Sequence, residues 1–129
     1  MKATIESLKA TIRAYLNANC DPVAPKTQTS RQVHLEVWKT RQGGRVMGLE
    51  FGHDDLVNIW VTSMNIPPSM PEGVLVTRKT PKGTKWTDAD GKGANSNLSG
   101  YDDFRSRPIA RLGITSPDEA QIIFAHLNR

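Results

Sequence analysis

The stretch VHLEVWKTRQGGRVMGLEFGHDDLVNIWV, residues 33–61, decides the fold because its apolar side chains recur at every second position. This alternation is typical of β-strands that bury one face. Two polar turns interrupt it, one at Gly43–Gly44, where glycine tolerates a tight hairpin, and one at residues 52–55. We therefore predict three strands joined as an antiparallel meander, the third of them over residues 56–61.

Helical patterns flank this meander on both sides. Toward the N-terminus, apolar residues recur at helical spacing and the pattern stops before Pro22, which predicts a helix from about Thr4 to Asn19. Toward the C-terminus, Ser116-Pro117-Asp118-Glu119 places a glutamate three residues after a serine, with a proline at the first helical position. This capping box predicts a second helix from Pro117 to about Asn128.

The remaining segments complete the predicted fold. Residues 74–79 and 109–114 are predicted strands, whereas residues 21–30, 63–73 and 81–100 are rich in Pro, Gly, Asn or Ser and are predicted loops. The order of elements predicts a single α+β domain that spans all 129 residues. In this domain, a mostly antiparallel sheet of four to five strands is flanked by an N-terminal and a C-terminal helix, both packed on one face.

Composition and charge narrow the class of protein. The chain has 17 Lys and Arg against 13 Asp and Glu, which gives a net charge of +4. No apolar stretch approaches the roughly 20 residues of a membrane span, and the first residues lack the apolar block of a signal peptide. The single cysteine, Cys20, excludes an internal disulfide, and the three histidines are scattered. We therefore expect a cytoplasmic protein with no membrane contact, no metal and no cofactor.

The densest cluster of titratable residues is formed by Glu50, His53, Asp54 and Asp55. A histidine beside carboxylates at a strand end can act as a general base, but a plain polar turn uses the same residue types. The chain has no phosphate-binding loop, no dinucleotide-binding glycine motif and no HExxH. We therefore assign no catalytic residue, and a hydrolase built on His53 with Asp54 or Asp55 remains an alternative.

A basic segment carries the main functional prediction. The segment from Arg78 to Lys92 contains five basic and two acidic residues, and Trp86 lies in the middle of it. Cationic side chains neutralise phosphates, an aromatic ring stacks on an unpaired base, and asparagine bonds a base edge or a phosphate. Two later arginines extend the patch if the chain folds back. The predicted nucleic-acid-binding residues are Arg78, Lys79, Lys82, Lys85, Trp86, Lys92, Asn95, Asn97, Arg105 and Arg107.

The outward face of the sheet is a second candidate surface. His34 and Trp38 point the same way along one strand, and Trp60 either joins them or is covered by a helix. A one-sided sheet with exposed aromatic side chains can stack bases or form an oligomer interface.

These patterns leave two leading functions. The first is a small module that binds DNA or RNA through the basic Gly/Asn-rich loop without catalysis. The second is a small inhibitor, of the type that phages and mobile elements encode, whose basic loop binds an acidic surface of a nucleic-acid-handling complex. The two differ in their response to salt, because nucleic-acid binding weakens steeply as salt is added, whereas a protein inhibitor with an apolar interface holds a fixed complex through gel filtration.

Overall fold

The structure of the protein is a computed structural model that describes residues 2–23, 34–82, 85–87, 94, 97–98 and 101–129. Two α-helices, seven strands and one short 3-10 helix occupy this part of the chain. No described helix is long and apolar enough to cross a membrane. In chain order, the elements are α1 (Lys2–Asn19), β1 (Cys20–Pro22), β2 (Glu36–Thr40), β3 (Val46–Glu50), β4 (Val57–Thr62), the 3-10 helix (Ser63–Asn65), β5 (Leu75–Lys82), β6 (Lys85–Thr87), β7 (Ile109–Ile114) and α2 (Pro117–Leu127).

Neighbouring strands of the sheet all run antiparallel, in the order β1-β2-β3-β4-β7-β5-β6. Six strands form the main sheet, and β6 pairs only with the last residues of β5, from Thr80 to Lys82. β7 joins the two halves of the sheet, because it is hydrogen-bonded to β4 along one edge and to β5 along the other. The α+β class, the antiparallel sheet and the two flanking helices are confirmed.

The strand count exceeds the predicted four to five for two reasons. β1 has only three residues, which are too few to show an alternation. The predicted loop over residues 81–100 is also wrong at its beginning, because Pro81 and Lys82 continue β5 and residues 85–87 pair with it as β6. This short hairpin was predicted as a loop because proline and charged residues are uncommon within strands.

Both helices pack on one face of the sheet, as predicted. The rings of Tyr15 on α1 and Phe124 on α2 stack with their centroids 4.8 Å apart, which joins the two helices. The apolar stripes of both helices meet the sheet in a single buried core. Its members include Leu8, Ile12 and Leu16 from α1, Ile123, Phe124 and Leu127 from α2, and Met47, Leu49, Ile59 and Leu112 from the sheet.

The opposite face of the sheet is also covered, so the expectation of a one-sided sheet with exposed aromatic side chains is wrong. Trp60 is only 1% exposed. Trp38 lies on the helix side of the sheet, packed against the core formed with α1 and α2, and it is partly buried. His34 is exposed.

The second face is covered by turns whose hydrogen bonds join residues three positions apart. The amide of Tyr101 donates to the Leu98 carbonyl, and the amide of Phe104 donates to the Tyr101 carbonyl. The three side chains therefore repeat on one side of the segment, and all three are buried. They join a second buried cluster with Leu35, Val37, Val46, Trp60 and Ile109 from the sheet and its approaches.

The capping box at the start of α2 forms with one change. The Ser116 hydroxyl accepts from the Glu119 amide at 3.3 Å, as the sequence predicts. The Glu119 carboxylate accepts from the amide of Thr115 at 2.9 Å, one residue before the capping serine. Both bonds satisfy amide donors that have no partner within the helix.

The turn between β2 and β3 holds the other end of α2. The Arg45 guanidinium donates to the carbonyl oxygens of His126 and Leu127 at 2.9 and 3.1 Å, and the Thr40 hydroxyl donates to Leu127 at 3.0 Å. A cation is favourable here because the C-terminal end of a helix carries partial negative charge. The backbone of this turn lies very close to the end of α2, since a Cβ on Gly43 would lie 2.2 Å from the Leu127 oxygen. Glycine is therefore required at this turn.

An ion pair joins α1 to β2. The two terminal nitrogens of Arg13 donate to the two carboxylate oxygens of Glu36 at 2.6 and 2.5 Å, which is the bidentate geometry of a strong charge-assisted pair. The same guanidinium lies 4.0 Å from the ring centroid of Phe51. The hydrogen bond from Arg13 outweighs partial burial and lowers the pKa of Glu36 below its ordinary value of 4.5.

Replacing Phe124 by Ala should lower the free energy of unfolding by about 3–5 kcal/mol, because the lost ring leaves a cavity in the helix-side core. The matched control is Ile122→Ala on the same helix, whose side chain is 50% exposed. It should change stability by roughly 0.5 kcal/mol or less. Denaturant titration followed by circular dichroism measures both. Equal stability of the Phe124 variant and the wild type would contradict the packing of α2 on the sheet.

Glu36→Gln should lower stability by roughly 0.2–1 kcal/mol near neutral pH, the range for a partly exposed ion pair after solvent screening. Because the folded-state pKa of Glu36 is lowered, its contribution is fully present above pH 4.5 and is lost as the pH falls through that pKa. Denaturation curves of variant and wild type should therefore converge in acid. A difference that is the same at every pH would show that the ion pair contributes nothing.

Candidate functional site

Basic residues gather at one end of the sheet. Lys79 lies opposite Ile109 in the last pair of the ladder between β5 and β7. Beyond this pair β5 continues into its hairpin with β6, and the chain that enters β7 carries two arginines. The hairpin and this approach therefore leave the sheet at the same end. We call it the basic end and define it by Arg78, Lys82, Lys85, Arg105 and Arg107.

Three side chains of the basic end are described, and all three are exposed: Arg78, Arg105 and Arg107. Arg105 Nη2 lies 3.1 Å from Asp102 Oδ1, with both side chains largely in solvent. Solvent screening makes such a pair weak, so Arg105 can exchange it for a stronger anionic partner. The other two positions, Lys82 and Lys85, face each other across the β5–β6 hairpin.

Two predicted contact residues are buried instead. Lys79 and Asn97 are each only 2% exposed, so the expectation that their side chains are exposed to a partner is wrong. Successive side chains of a strand point to opposite faces. Lys79 lies opposite Ile109, on the face covered by Leu98, Tyr101 and Phe104. Arg78 lies opposite Ala110, on the helix side of the sheet, and is exposed there. Neither Lys79 nor Asn97 can reach a phosphate in this conformation.

The remaining predicted residues are placed only in part. Trp86 lies in β6 opposite Pro81, but its side chain, like those of Lys82 and Lys85, is outside the described part of the structure. Lys92 and Asn95 lie outside the described residues altogether. Their assignment to nucleic-acid binding stays a prediction.

A second polar site lies on the covered face, around the carboxylate of Glu50. This side chain is 4% exposed, and three other side chains contact its oxygens. Trp60 Nε1 donates at 2.6 Å and Asn58 Nδ2 donates at 3.0 Å. His53 Nε2 lies 2.9 Å from the same oxygen that Asn58 contacts. A buried carboxylate is costly without such donors, so this network stabilises the charge in place.

Strand register brings these residues together. Glu50 ends β3 directly opposite Asn58 in β4, and two positions along, Gly48 lies opposite Trp60. Gly48 leaves room for the cover, because a Cβ there would lie 3.0 Å from a Leu35 methyl and 3.3 Å from a Leu98 methyl. The polar turn between the two strands then returns His53 to the Glu50 carboxylate.

Beside this network the surface opens into a cleft with a volume of about 240 Å³. The guanidinium of Arg111 on β7 lies 5.6 Å from the ring centroid of Trp60, an attractive cation–π distance. Arg111 and His53 both face the cleft, so it combines a permanent cation with a titratable ring. The lining residues are His53, Asp55, Leu56, Asn58, Leu75, Arg111 and Gly113.

The histidine of this site is bonded differently from the predicted hydrolase arrangement. His53 contacts Glu50 rather than Asp54 or Asp55, and both aspartates are exposed. An ionised carboxylate only accepts hydrogen bonds, so Nε2 of His53 carries the hydrogen in this contact. In the neutral ring, Nδ1 is then the acceptor nitrogen. A carboxylate that orients a histidine in this way is common in catalytic and binding sites.

Cys20 is not a candidate nucleophile. The thiol is buried in the helix-side core, at the junction of α1 and β1. Burial is the largest effect on it and raises the pKa of the Cys20 thiol to about 11. The thiol is therefore protonated at neutral pH, and only the thiolate is a strong nucleophile.

Sequence reasoning missed the partners of Glu50. Glu50 was grouped with His53, Asp54 and Asp55 as a cluster of titratable residues at a strand end, whereas Asn58 and Trp60 make it the centre of a buried network. A signal was present, because Asn58 and Trp60 alternate with Val57, Ile59 and Val61 and so share the face opposite these apolar residues. Pairing the meander strand by strand would have placed Asn58 beside Glu50.

Comparison with models of protein families, with curated proteins and with solved structures found no match to this chain. Within the described residues, no group of three or more His, Cys, Asp or Glu side chains is arranged to hold a metal ion. Functional conclusions therefore rest on the geometry of the basic end and of the Glu50 network.

Glu50→Ala should lower the free energy of unfolding by at least about 2 kcal/mol, because the buried donors of Asn58 and Trp60 lose their acceptor. The matched control is Asp54→Ala in the neighbouring exposed turn, which should change stability by roughly 0.5 kcal/mol or less. Thermal and denaturant unfolding measure both variants. If the two variants are equally stable, the Glu50 network is not structurally important.

Proposed function

We propose that this protein binds nucleic acid through the basic end of its sheet and does so without catalysis. The residues in contact with phosphates are Arg78, Lys82, Lys85, Arg105 and Arg107. A cytoplasmic location is part of the same proposal. The proposal keeps the central part of the sequence prediction and leaves out Lys79 and Asn97, since both side chains are buried.

One observation carries the proposal, namely the register between β5 and β7. The pair of Lys79 and Ile109 is the last of the ladder, so two segments that lie more than 20 residues apart in sequence leave the sheet side by side. One supplies Lys82 and Lys85 and the other supplies Arg105 and Arg107. Cationic side chains that converge from separate segments on one edge form the electrostatic footprint of a polyanion site.

The burial of Lys79 supports this arrangement indirectly. The side chain of Lys79 is enclosed by protein at the last pair of the β5–β7 ladder, from which the β5–β6 hairpin continues. Arg78 beside it lies on the opposite face and is exposed, so it is available to a phosphate.

Trp86 gives the proposal its second component. It lies in β6 directly opposite Pro81, on the outermost strand of the sheet. An aromatic side chain among cations is the combination with which single-stranded nucleic acids are bound, since stacking on a base contributes about 1–3 kcal/mol. The proposal therefore favours single strands over duplexes.

The test is a fluorescence titration with single- and double-stranded oligonucleotides of DNA and RNA at several salt concentrations. If five cations each neutralise a phosphate, the logarithm of affinity should fall with the logarithm of salt at a slope of about −3.5 to −4.5. Changing Arg78, Arg105 and Arg107 together to Gln should reduce the magnitude of this slope by about 2–3. Trp86→Ala should weaken single-strand binding more than duplex binding.

The matched control removes charges away from the basic end. Lys9 lies on α1, and Lys39 lies on β2, which three other strands separate from β5. Lys9→Gln combined with Lys39→Gln should leave the slope unchanged. Equal loss in both charge variants would indicate binding by overall charge alone. Affinity weaker than millimolar at low salt would exclude nucleic acid and would favour an acidic protein surface as the partner.

A further inference from the structure

The cleft beside Glu50 is separate from the basic end. It lies where β7 ends, at Gly113 and Leu75, whereas the basic end lies beyond the pair of Lys79 and Ile109 at the start of β7. Nothing in the proposed nucleic-acid site uses its lining residues. The cleft is smaller than the roughly 300–1,000 Å³ of pockets that hold drug-sized ligands, so it suits a ligand of few non-hydrogen atoms.

Arg111 gives this cleft a donor for oxyanions. Its guanidinium is held over the Trp60 ring, and within the described part of the chain it forms no ion pair. Arginine presents a planar fork of N–H donors that matches the oxygens of a phosphate or a carboxylate. An arginine that is oriented by an aromatic ring loses less conformational freedom when it binds an anion.

Two other groups of the cleft are acceptors. Glu50 accepts a hydrogen bond from Nε2 of His53, so in the neutral ring Nδ1 is the acceptor nitrogen. Asp55 contributes an exposed carboxylate from the same turn. A bare oxyanion would find only one favourable partner here and would be repelled by Asp55. A ligand that also carries hydroxyl groups can donate to both acceptors.

We propose that this cleft binds a phosphate monoester of a small hydroxylated molecule. The phosphate accepts from Arg111, and the hydroxyl groups of the ligand donate to His53 Nδ1 and to the Asp55 carboxylate. Leu56 and Leu75 supply apolar walls for the carbon atoms, and Leu75 is 64% exposed although it is a large apolar residue. Gly113 contributes backbone without a side chain to the lining.

Glycerol 3-phosphate is the probe, because it combines one phosphate with two neighbouring hydroxyl groups. The measurement is an NMR titration of the full chain that follows the Arg111 Nε–H and His53 ring signals. We expect saturable shifts of both groups of signals. Glycerol, which lacks the anion, should cause no shift, and inorganic phosphate, which lacks the carbon-bound hydroxyl groups, should bind at least about threefold more weakly.

The matched pair of variants is Arg111→Gln and Arg107→Gln, which remove the same charge at the two separate sites. Arg111→Gln should weaken glycerol 3-phosphate binding at least tenfold, whereas Arg107→Gln should change it less than twofold. A backbone spectrum of each variant reports folding. If Arg111→Gln fails to fold, His53→Gln is the second variant and should weaken binding at least threefold.

Three outcomes would overturn the proposal: no shift of the Arg111 and His53 signals, equal weakening by both arginine variants, or equal affinity for inorganic phosphate and glycerol 3-phosphate. Failure here leaves the nucleic-acid proposal intact, because that proposal is tested with oligonucleotides and with residues at the basic end. Conversely, if the protein does not bind oligonucleotides, it can still bind glycerol 3-phosphate in the cleft, so failure of the nucleic-acid proposal does not overturn this one.

Discussion

Burial of both faces of the sheet is the constraint on which the rest of the structure depends. α1 and α2 cover one face, and the turns through Leu98, Tyr101 and Phe104 cover the middle of the other. Water cannot reach a polar side chain under this cover, so each such group needs a partner inside the protein. Glu50 meets this need with three neighbouring side chains. The cleft opens beside the cover, where the sheet still carries polar residues.

The same constraint separates residues that look alike in the sequence. Arg78 and Lys79 are adjacent cations, yet the first is exposed on the helix side of the sheet and the second is buried on the opposite side, since a strand alternates its side chains between the two faces. A run of charges along a chain is therefore not a charged surface. The basic end arises instead from pairing between strands, because the segment that carries Lys82 and Lys85 and the segment that carries Arg105 and Arg107 leave the sheet at the same end.

Elements with strong local signals could be predicted from the sequence, and those defined by distant contacts could not. The capping box at Ser116 located the start of α2, and alternation over Ile109–Ile114 located β7. By contrast, Trp60 is buried by a segment some 40 residues away. The apolar residues of this segment recur at every third position, which matches neither the period of 3.6 of an α-helix nor the period of 2 of a strand. The Glu50 network depends on which residues of β3 and β4 lie opposite each other, and this register does not follow from the alternation within single strands.

The clamp between the β2–β3 turn and the end of α2 has a consequence for the order of assembly. Its hydrogen bonds from Arg45 join residues 81 and 82 positions apart in the chain, and closing so long a loop costs entropy before any contact is gained. The hairpin that carries Arg45 closes over only a few residues, so it forms early. The carbonyl oxygens of His126 and Leu127 receive the hydrogen bonds from Arg45 only when the C-terminal end of α2 docks on that hairpin. Helix and hairpin therefore reach full stability together, as one cooperative unit whose protection against hydrogen exchange rises and falls jointly.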